Sequence, residues 1–319
     1  MAKPREQFVV TVSAGPTAEY DGPARARFSD RLFALIKDAV FFVYLHCGYI
    51  QLRDAILSLL GRSRVAVLYY HRVGGLDVLT RPADEFQRDL AYLKRNYECM
   101  SLNQLVERLR TGGLFKRRAA VITFDDGYRD NFTEAVPALK AAGMTATFFV
   151  ATGFIGTPRE FPHDLRGESG EESGCVGARR PKLTWDDLRA MQAAGFEIGS
   201  HTVNHINLGR ADAETIEREV RESLAALDRE LGDRPRPFSF PWGKPEDISE
   251  RARDAVKSAG YYAAVSAYGG ANTRGSQVFN IRRVDVGNGY LSRLGMRARV
   301  AGLDPDFFRL KIANREQRR

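Results

Sequence analysis

From residue 64 onward the chain alternates short apolar runs with longer stretches whose apolar positions recur at helical spacing. Residues 65–70 (VAVLYY), 119–124 (AAVITF), 146–151 (ATFFVA), 196–199 (FEIG) and 238–240 (FSF) read as buried strands. Between them the period predicts helices over 82–96, 101–111, 128–142, 184–194, 213–231 and 247–259. Ser101 followed by Gln104 has capping-box spacing, Thr184 is a good N-cap, and Gly143 suits a helix end. Residues 155–182 carry Gly, Pro, Glu and Arg without period and read as loop. Strand and helix alternating this often predict an α/β fold, a parallel sheet covered by helices. Periodicity alone does not say whether such a sheet closes.

The first 60 residues of the chain have a different texture. Residues 1–27 are rich in Pro, Gly, Ala and charge and read as a flexible arm. Residues 28–60 are apolar at helical spacing (Leu32, Leu35, Ile36, Val40, Val43, then Leu52, Ile56, Leu59) and predict one or two amphipathic helices. The longest uncharged run, residues 39–52, has 14 residues, fewer than the roughly 20 of a spanning helix. It starts too late for a cleavable signal peptide and lacks a small-residue cleavage site. Three readings stay open: packing on the following domain, lying in a membrane interface, or a true span or signal anchor. The residence stays open too, membrane-associated with peripheral contact or otherwise cytoplasmic. The resulting organisation is an arm and helical segment over 1–60, a catalytic domain over 61–290 and a basic tail over 291–319.

Composition narrows the choices. Hydrophobic residues at 44% and charged ones at 28% exclude a mostly disordered chain. Three scattered cysteines exclude a disulfide framework and a Cys-rich zinc site. The net charge is +8, and residues 272–319 hold eleven Lys/Arg against four Asp/Glu, so 11 − 4 = +7 sits at the C-terminal end. Such a segment suits anionic lipid or an acidic polymer, or is simply a solvated terminus. No recognition motif accompanies it, so nucleic acid is not an expected partner.

The unusual polar clusters fall just after strands. AAVITF runs into Asp125-Asp126-Gly127-Tyr128, FEIG into Ser200-His201-Thr202-Val203-Asn204-His205, FSF into Pro241-Trp242-Gly243 and VAVLYY into His71-Arg72-Val73. In α/β barrels the loops after the strand C-termini share one face, where active sites form. Adjacent aspartates by themselves could cap a helix. Two histidines spaced i, i+4 would bring both rings to one side of a helical turn, a common way to hold a metal. Together, one carboxylate and two histidines make a metal site with open positions, leaving the second aspartate to act as general base.

At these residues the sequence resembles the polysaccharide deacetylases of the NodB-homology type, carbohydrate esterase family 4. TFDDGY (residues 123–128), SHTVNH (200–205), LTWDDL (183–188) and FPWG (240–243) carry the resemblance, which extends over roughly residues 64–290. It implies a deformed (β/α) barrel, a divalent metal, usually zinc, and removal of N-acetyl groups from a GlcNAc-containing glycan of the cell envelope. It maps the base onto Asp125, the metal ligands onto Asp126, His201 and His205, and an oxyanion-holding N–H onto Trp242. Tyr128, Pro241 and Trp242 are the expected substrate contacts. Trp185 is expected to pack.

Two features depart from the family pattern. Where its third motif usually begins with an Arg that orients the base, this chain has Ser239; Arg283, in Ile281-Arg282-Arg283-Val284, is the chosen substitute. The C-terminal Leu-x-His motif that supplies the acid is missing, because none of the five histidines follows His205. His71 resembles the acid of the branch acting on exported poly-N-acetylglucosamine, whose barrel is circularly permuted so that this histidine comes early. Other readings stay open: deacylation of a lipid-linked sugar or small amide, an impaired glycan-binding relative, or a two-histidine, one-carboxylate iron oxygenase.

Overall fold

A computed structural model describes residues 28–75, 79–165, 180–287 and 291–303, with side chains from residue 35. The arm over 1–27 and the tail from 304 lie outside the described residues. Two helices come first, α1 (Phe28–His46) and α2 (Tyr49–Leu59). Then follow β1 (Val65–Tyr70), β2 (Arg72–Val73), β3 (Thr80–Arg81), α3 (Ala83–Asn96), β4 (Glu98–Cys99) and α4 (Leu102–Arg110). The middle of the chain contributes β5 (Ala119–Phe124), α5 (Val136–Ala142), β6 (Thr147–Val150), α6 (Pro162–Leu165), α7 (Trp185–Ala193) and β7 (Glu197–Ser200). Last come α8 (Ala213–Leu231), β8 (Pro237–Ser239), α9 (Glu250–Ser258), β9 (Ala263–Val265), β10 (Arg283–Asp285) and α10 (Arg293–Val300).

The main sheet is parallel throughout, in the order β10-β1-β5-β6-β7-β8-β9, with β4 paired to the first half of β5. Its two edges nearly meet: Val265 in β9 bridges Ile281, two residues before β10. The sheet is therefore an almost closed, deformed barrel. Alternation along the strands shows its two faces. Val65, Val67, Val121, Phe149, Val265 and Ile281, from strands on opposite sides of the sheet, form one cluster and fill the interior, into which α4 sends Leu102, Leu105 and Val106. The intervening residues, Ala66, Leu68, Ile122 and Phe124, pack outward under α3 and α5. Being buried on both faces is why these strands read as continuous apolar runs.

The local signals act as expected at several helices. Ser101 and Gln104 form a capping box on α4, Thr184 caps α7 with Asp187 in the same way, and Gly143 ends α5 at φ 65°. Trp185 packs against the main core. Other elements differ from expectation. The helix expected from 128 begins with a π-turn over Asn131–Ala135, because residues 125–128 are held in the site loop. The loop expected over 155–182 contains α6, and its residues 166–179 lie outside the described part. Strands β9 and β10 were not expected, being three residues each. Residues 291–303 are not tail: α10 buries Met296, Ala298 and Val300 and packs along α1.

Candidate active site

The C-terminal ends of β1, β5, β7 and β8 deliver the candidate residues to one end of the barrel, and Arg283 reaches them from the first residue of β10. Backbone strain marks this place. Among the described residues only four non-glycine residues have left-handed φ: Asp126 (74°), Thr202 (66°), His205 (53°) and Trp242 (63°). Each such residue costs roughly 1–3 kcal/mol, so the surrounding bonds must over-determine the loops. They do. Gly127, at φ 89°, lets the chain turn against Val150, where a Cβ would meet the Val150 side chain at 3.1 Å. Over residues 200–205, Ser200 Oγ accepts from Thr202 N, Thr202 Oγ1 accepts from His205 N, and Thr152 N donates to the Thr202 carbonyl. Buried Glu219 on α8 accepts from the Val203 and Asn204 N–H groups at 2.9 and 2.8 Å and from the Asn204 side chain at 2.7 Å.

The two aspartates face opposite partners. Asp125 is 3% exposed and forms a fork-on-fork pair with Arg283, which is 0% exposed: Nη1 to Oδ1 and Nη2 to Oδ2, both 2.7 Å. The remaining donors of Arg283 reach Thr123 Oγ1 (3.1 Å), Ser239 Oγ (2.9 Å) and the Ser266 carbonyl (2.8 Å). Ser239 in turn donates to Asp125 Oδ1 at 3.4 Å. Burial pushes the Asp125 carboxyl up, but Arg283 and His201 outweigh it, and the net shift is below the ordinary carboxylate range. A bidentate guanidinium in a site closed to water fixes the carboxylate's plane as well as its charge.

Asp126 turns the other way. Its Oδ1 lies 3.2 Å from His205 Nε2 and 3.6 Å from His201 Nε2, and its Oδ2 lies 3.4 Å from His163 Nε2. Neither oxygen has a well-formed hydrogen bond among the described residues, although both are buried. Burial raises the Asp126 carboxyl, yet the facing imidazoles carry it well below its ordinary value. His201 Nδ1 donates to the Ser239 carbonyl at 2.8 Å, which leaves the Nε2 lone pair aimed at Asp126. Burial pushes His201 down to about 4, so it is a neutral imidazole at neutral pH. One oxygen and two nitrogens lie within 4.8 Å of one another. Orphaned buried carboxylate oxygens facing imidazole nitrogens fit a divalent cation. The two histidines do not ride a helical turn as their spacing suggested; left-handed Thr202 and His205 fold the segment back on itself, and the ring centroids stand 4.9 Å apart.

His71 follows β1 directly. Its ring meets Tyr69 edge-on at 5.6 Å, and it stands close enough to help lower the carboxyls of both Asp125 and Asp126. Trp242 is 51% exposed and stands with its ring 5.7 Å from His205 and 6.4 Å from His163. Its N–H has no partner among the described residues. Pro241 beside it is buried.

Tyr128 corrects one expectation. It is 1% exposed and offers no face to a substrate; its hydroxyl donates to Asp164 at 2.8 Å and lies 3.0 Å from His163 Nε2. The sequence offered His163 only as an alternative to His71 for the acid, because α6 lies in a stretch without period. The ring stacks on Phe161 at 5.1 Å and completes the wall between His205 and Trp242. Burial works against its charge, but Asp126 and Asp164 outweigh it and its pKa is raised. Glu219 had a signal that was passed over, an acid on the apolar stripe of a helix beside Ile216, Val220 and Ser223.

Residues 113–264, which span both motif loops and the Trp242 turn, match the polysaccharide deacetylase family. Those residues, just under half of the chain, carry the likeness to that family's domain. Among relatives of this chain, YxkH of Bacillus subtilis (strain 168), itself named for polysaccharide deacetylation, is 26% identical over 228 residues, which cover 71% of this chain and 73% of that one. The poly-beta-1,6-N-acetyl-D-glucosamine N-deacetylase of Escherichia coli (strain K12) is 30% identical over 120 residues, 37% of this chain but only 17% of that longer protein. Among solved structures, Streptococcus pyogenes deacetylase PplD in complex with acetate superposes with TM-score 0.60 at 20% identity, covering 75% of this chain and 99% of that one. At that identity the likeness concerns the fold, the deformed barrel of NodB-type deacetylases. The deacetylase family is a family of hydrolases, and the Asp126-His201-His205 cluster fits its metal dependence.

Proposed function

We propose that the protein is a metal-dependent N-deacetylase acting on an N-acetylated, GlcNAc-containing glycan. One observation carries the reading: adjacent carboxylates have opposite surroundings, Asp125 locked to Arg283 and Asp126 turned to two imidazoles. That is the division a hydrolase needs between a base and a ligand. Asp126, His201 and His205 would hold the ion, and zinc suits one carboxylate and two imidazoles with positions left open. Once bound, such an ion lowers the pKa of water and polarises the acetamide carbonyl.

The chain's own groups supply the rest. Asp125, kept ionised by Arg283, accepts the proton of the attacking water. The Trp242 N–H donates to the oxygen that gains charge as the carbonyl carbon becomes tetrahedral. His71 gives a proton to the departing amine nitrogen, so acetate and a free amine leave. The exposed Trp242 ring offers a face to a sugar. The likeness to the E. coli enzyme, though it covers a small part of that protein, favours a poly-N-acetylglucosamine over other amides. His71 at the end of β1, rather than a histidine late in the chain, agrees with that preference.

The test combines metal analysis with acetate release from poly-N-acetylglucosamine, chitin oligomers and peptidoglycan. Asp126→Ala, His201→Ala and His205→Ala should each weaken metal binding by more than the roughly 10–100-fold that loss of an outer-shell partner causes, read by competition with a chelator. Full metal retention by all three variants, or no acetate from any glycan, would remove the basis of the reading.

His163 enters as a positioning residue. Its Nε2–H faces Asp126 Oδ2, leaving Oδ1 for the ion. His163→Leu should lower metal affinity about 10-fold or more, and His163→Gln, which keeps a donor near the same point, should recover most of it. Equal losses in both variants would mean that the ring serves only as packing against Phe161.

A further inference from the structure

We infer that α1 and α2 form a surface that binds an anionic lipid bilayer, α1 running along the flank of the barrel beside α10 and α2 reaching the end opposite the site. A narrow stripe of the two helices is covered by the domain: Phe41 and Ile50 are buried, Asp38 accepts from Ser292 (2.8 Å), and Tyr44 and Arg53 donate to the Ala301 carbonyl (3.3 and 2.8 Å). The remaining surface is apolar and open. On α1, Leu35, Ile36, Val40 and Val43 are 54–69% exposed. On α2, Tyr49, Leu52, Ile56 and Leu59 recur at helical spacing along one line and are 48–88% exposed. A patch of this extent, continued by Leu60, exceeds what water-facing surfaces ordinarily carry.

The charges around it select the occupant. At the end of α2, Leu59, Leu60 and Leu114 are exposed side by side with Arg62, Lys116 and Arg117, and none of these three cations has an acidic partner among the described residues. Among the described acids of the two helices, Asp54 is paired with Arg53 and Arg118, and Asp38 accepts from Ser292. The described chain ends at Leu303, beside the same stripe, and the sequence that follows includes Arg309, Lys311, Arg315, Arg318 and Arg319. Apolar side chains ringed by unpaired cations match the acyl boundary and phosphates of an anionic leaflet.

The helices rest on the bilayer; they do not cross it. No single described helix is long and apolar enough to span, and the pair that passes together is bent by 43°. Spanning would also strip α1 and α2 from Ser292, Ala301 and Lys116, breaking their polar contacts with the domain. Arg62 and Lys116 precede the starts of β1 and β5, whereas the site lies beyond the strand ends. Six-residue strands separate the two by about 20 Å.

Vesicle sedimentation of the full chain tests this. Phosphatidylcholine vesicles containing phosphatidylglycerol should bind it about a hundredfold more tightly than phosphatidylcholine alone, given three to four cations near the surface. Leu52→Ser/Ile56→Ser/Leu59→Ser should reduce that binding at least roughly tenfold. Arg62→Glu/Lys116→Glu/Arg117→Glu should abolish the preference for phosphatidylglycerol. Both variants should keep the parent melting midpoint and metal content. Absence of vesicle binding, equal binding to both lipids, or a dimer in solution that the serine variant dissociates would overturn the inference.

Discussion

Arg283→Met should destabilise the protein by about 3–5 kcal/mol, the usual consequence of stranding one member of a buried ion pair. All five guanidinium hydrogen bonds would be lost, and Asp125 would keep only Ser239 Oγ at 3.4 Å. Burial is the largest influence on the Asp125 carboxyl, and it favours the neutral form. Without the guanidinium that carboxyl rises and takes up a proton, so turnover should be lost together with stability. Asp125→Asn strands the charge from the other side: the buried cation remains, metal binding is retained, and turnover falls by about 10²–10⁴. The double variant Asp125→Asn/Arg283→Met removes both charges. It should be more stable than the sum of the two losses implies, while remaining inactive. Urea unfolding of the four proteins measures this coupling. Additive losses would mean that the pair contributes no more than its two separate environments.

His71→Ala should leave metal content unchanged and reduce deacetylation of N-acetyl sugars by about 10²–10⁴. The reason lies in the leaving group. An amide nitrogen departing without a proton would leave as a strongly basic anion, whereas an activated aryl ester releases a stable phenolate. Aryl acetates should therefore be cleaved by His71→Ala at close to the parent rate. The contrast also separates the two free histidines near Asp126. His163→Leu should lose metal affinity with no selective defect on amides. If the amide-specific defect followed His163 instead, the acid and positioning roles would have to be exchanged.

The site was legible in the sequence to different depths for physical reasons. Asp125, Asp126, His201 and His205 stand immediately after apolar strands, and a strand end is a local property that alternation reveals. Arg283 was harder. It lies in a three-residue strand, RVD, where two of three residues are charged, and nothing in its own neighbourhood announces burial. Its place beside β1 gives it Asp125, 158 residues earlier. His163 and Glu219 depend on tertiary position in the same way, one from a short helix without period and one from the midst of a long helix. The spacing of His201 and His205 misled on conformation but not on outcome, because two rings can converge through a left-handed loop as well as through a helical turn.

By itself the sequence determined the alternation of strands and helices, the caps of α4 and α7, and the chemistry that follows β1, β5, β7 and β8, because each is written within a few neighbouring residues. It also determined that residues 28–60 are apolar and helical, but not which side of them is covered. Near-closure of the barrel between β9 and β10 set Arg283 against Asp125, with Ser239 bonded to both. Tertiary packing also placed His163 against Asp126 Oδ2 and left apolar side chains of α1 and α2 exposed among the described residues. Such contacts join residues tens to hundreds of positions apart. No local period encodes them, since only the packing of the whole barrel brings those side chains within hydrogen-bonding distance.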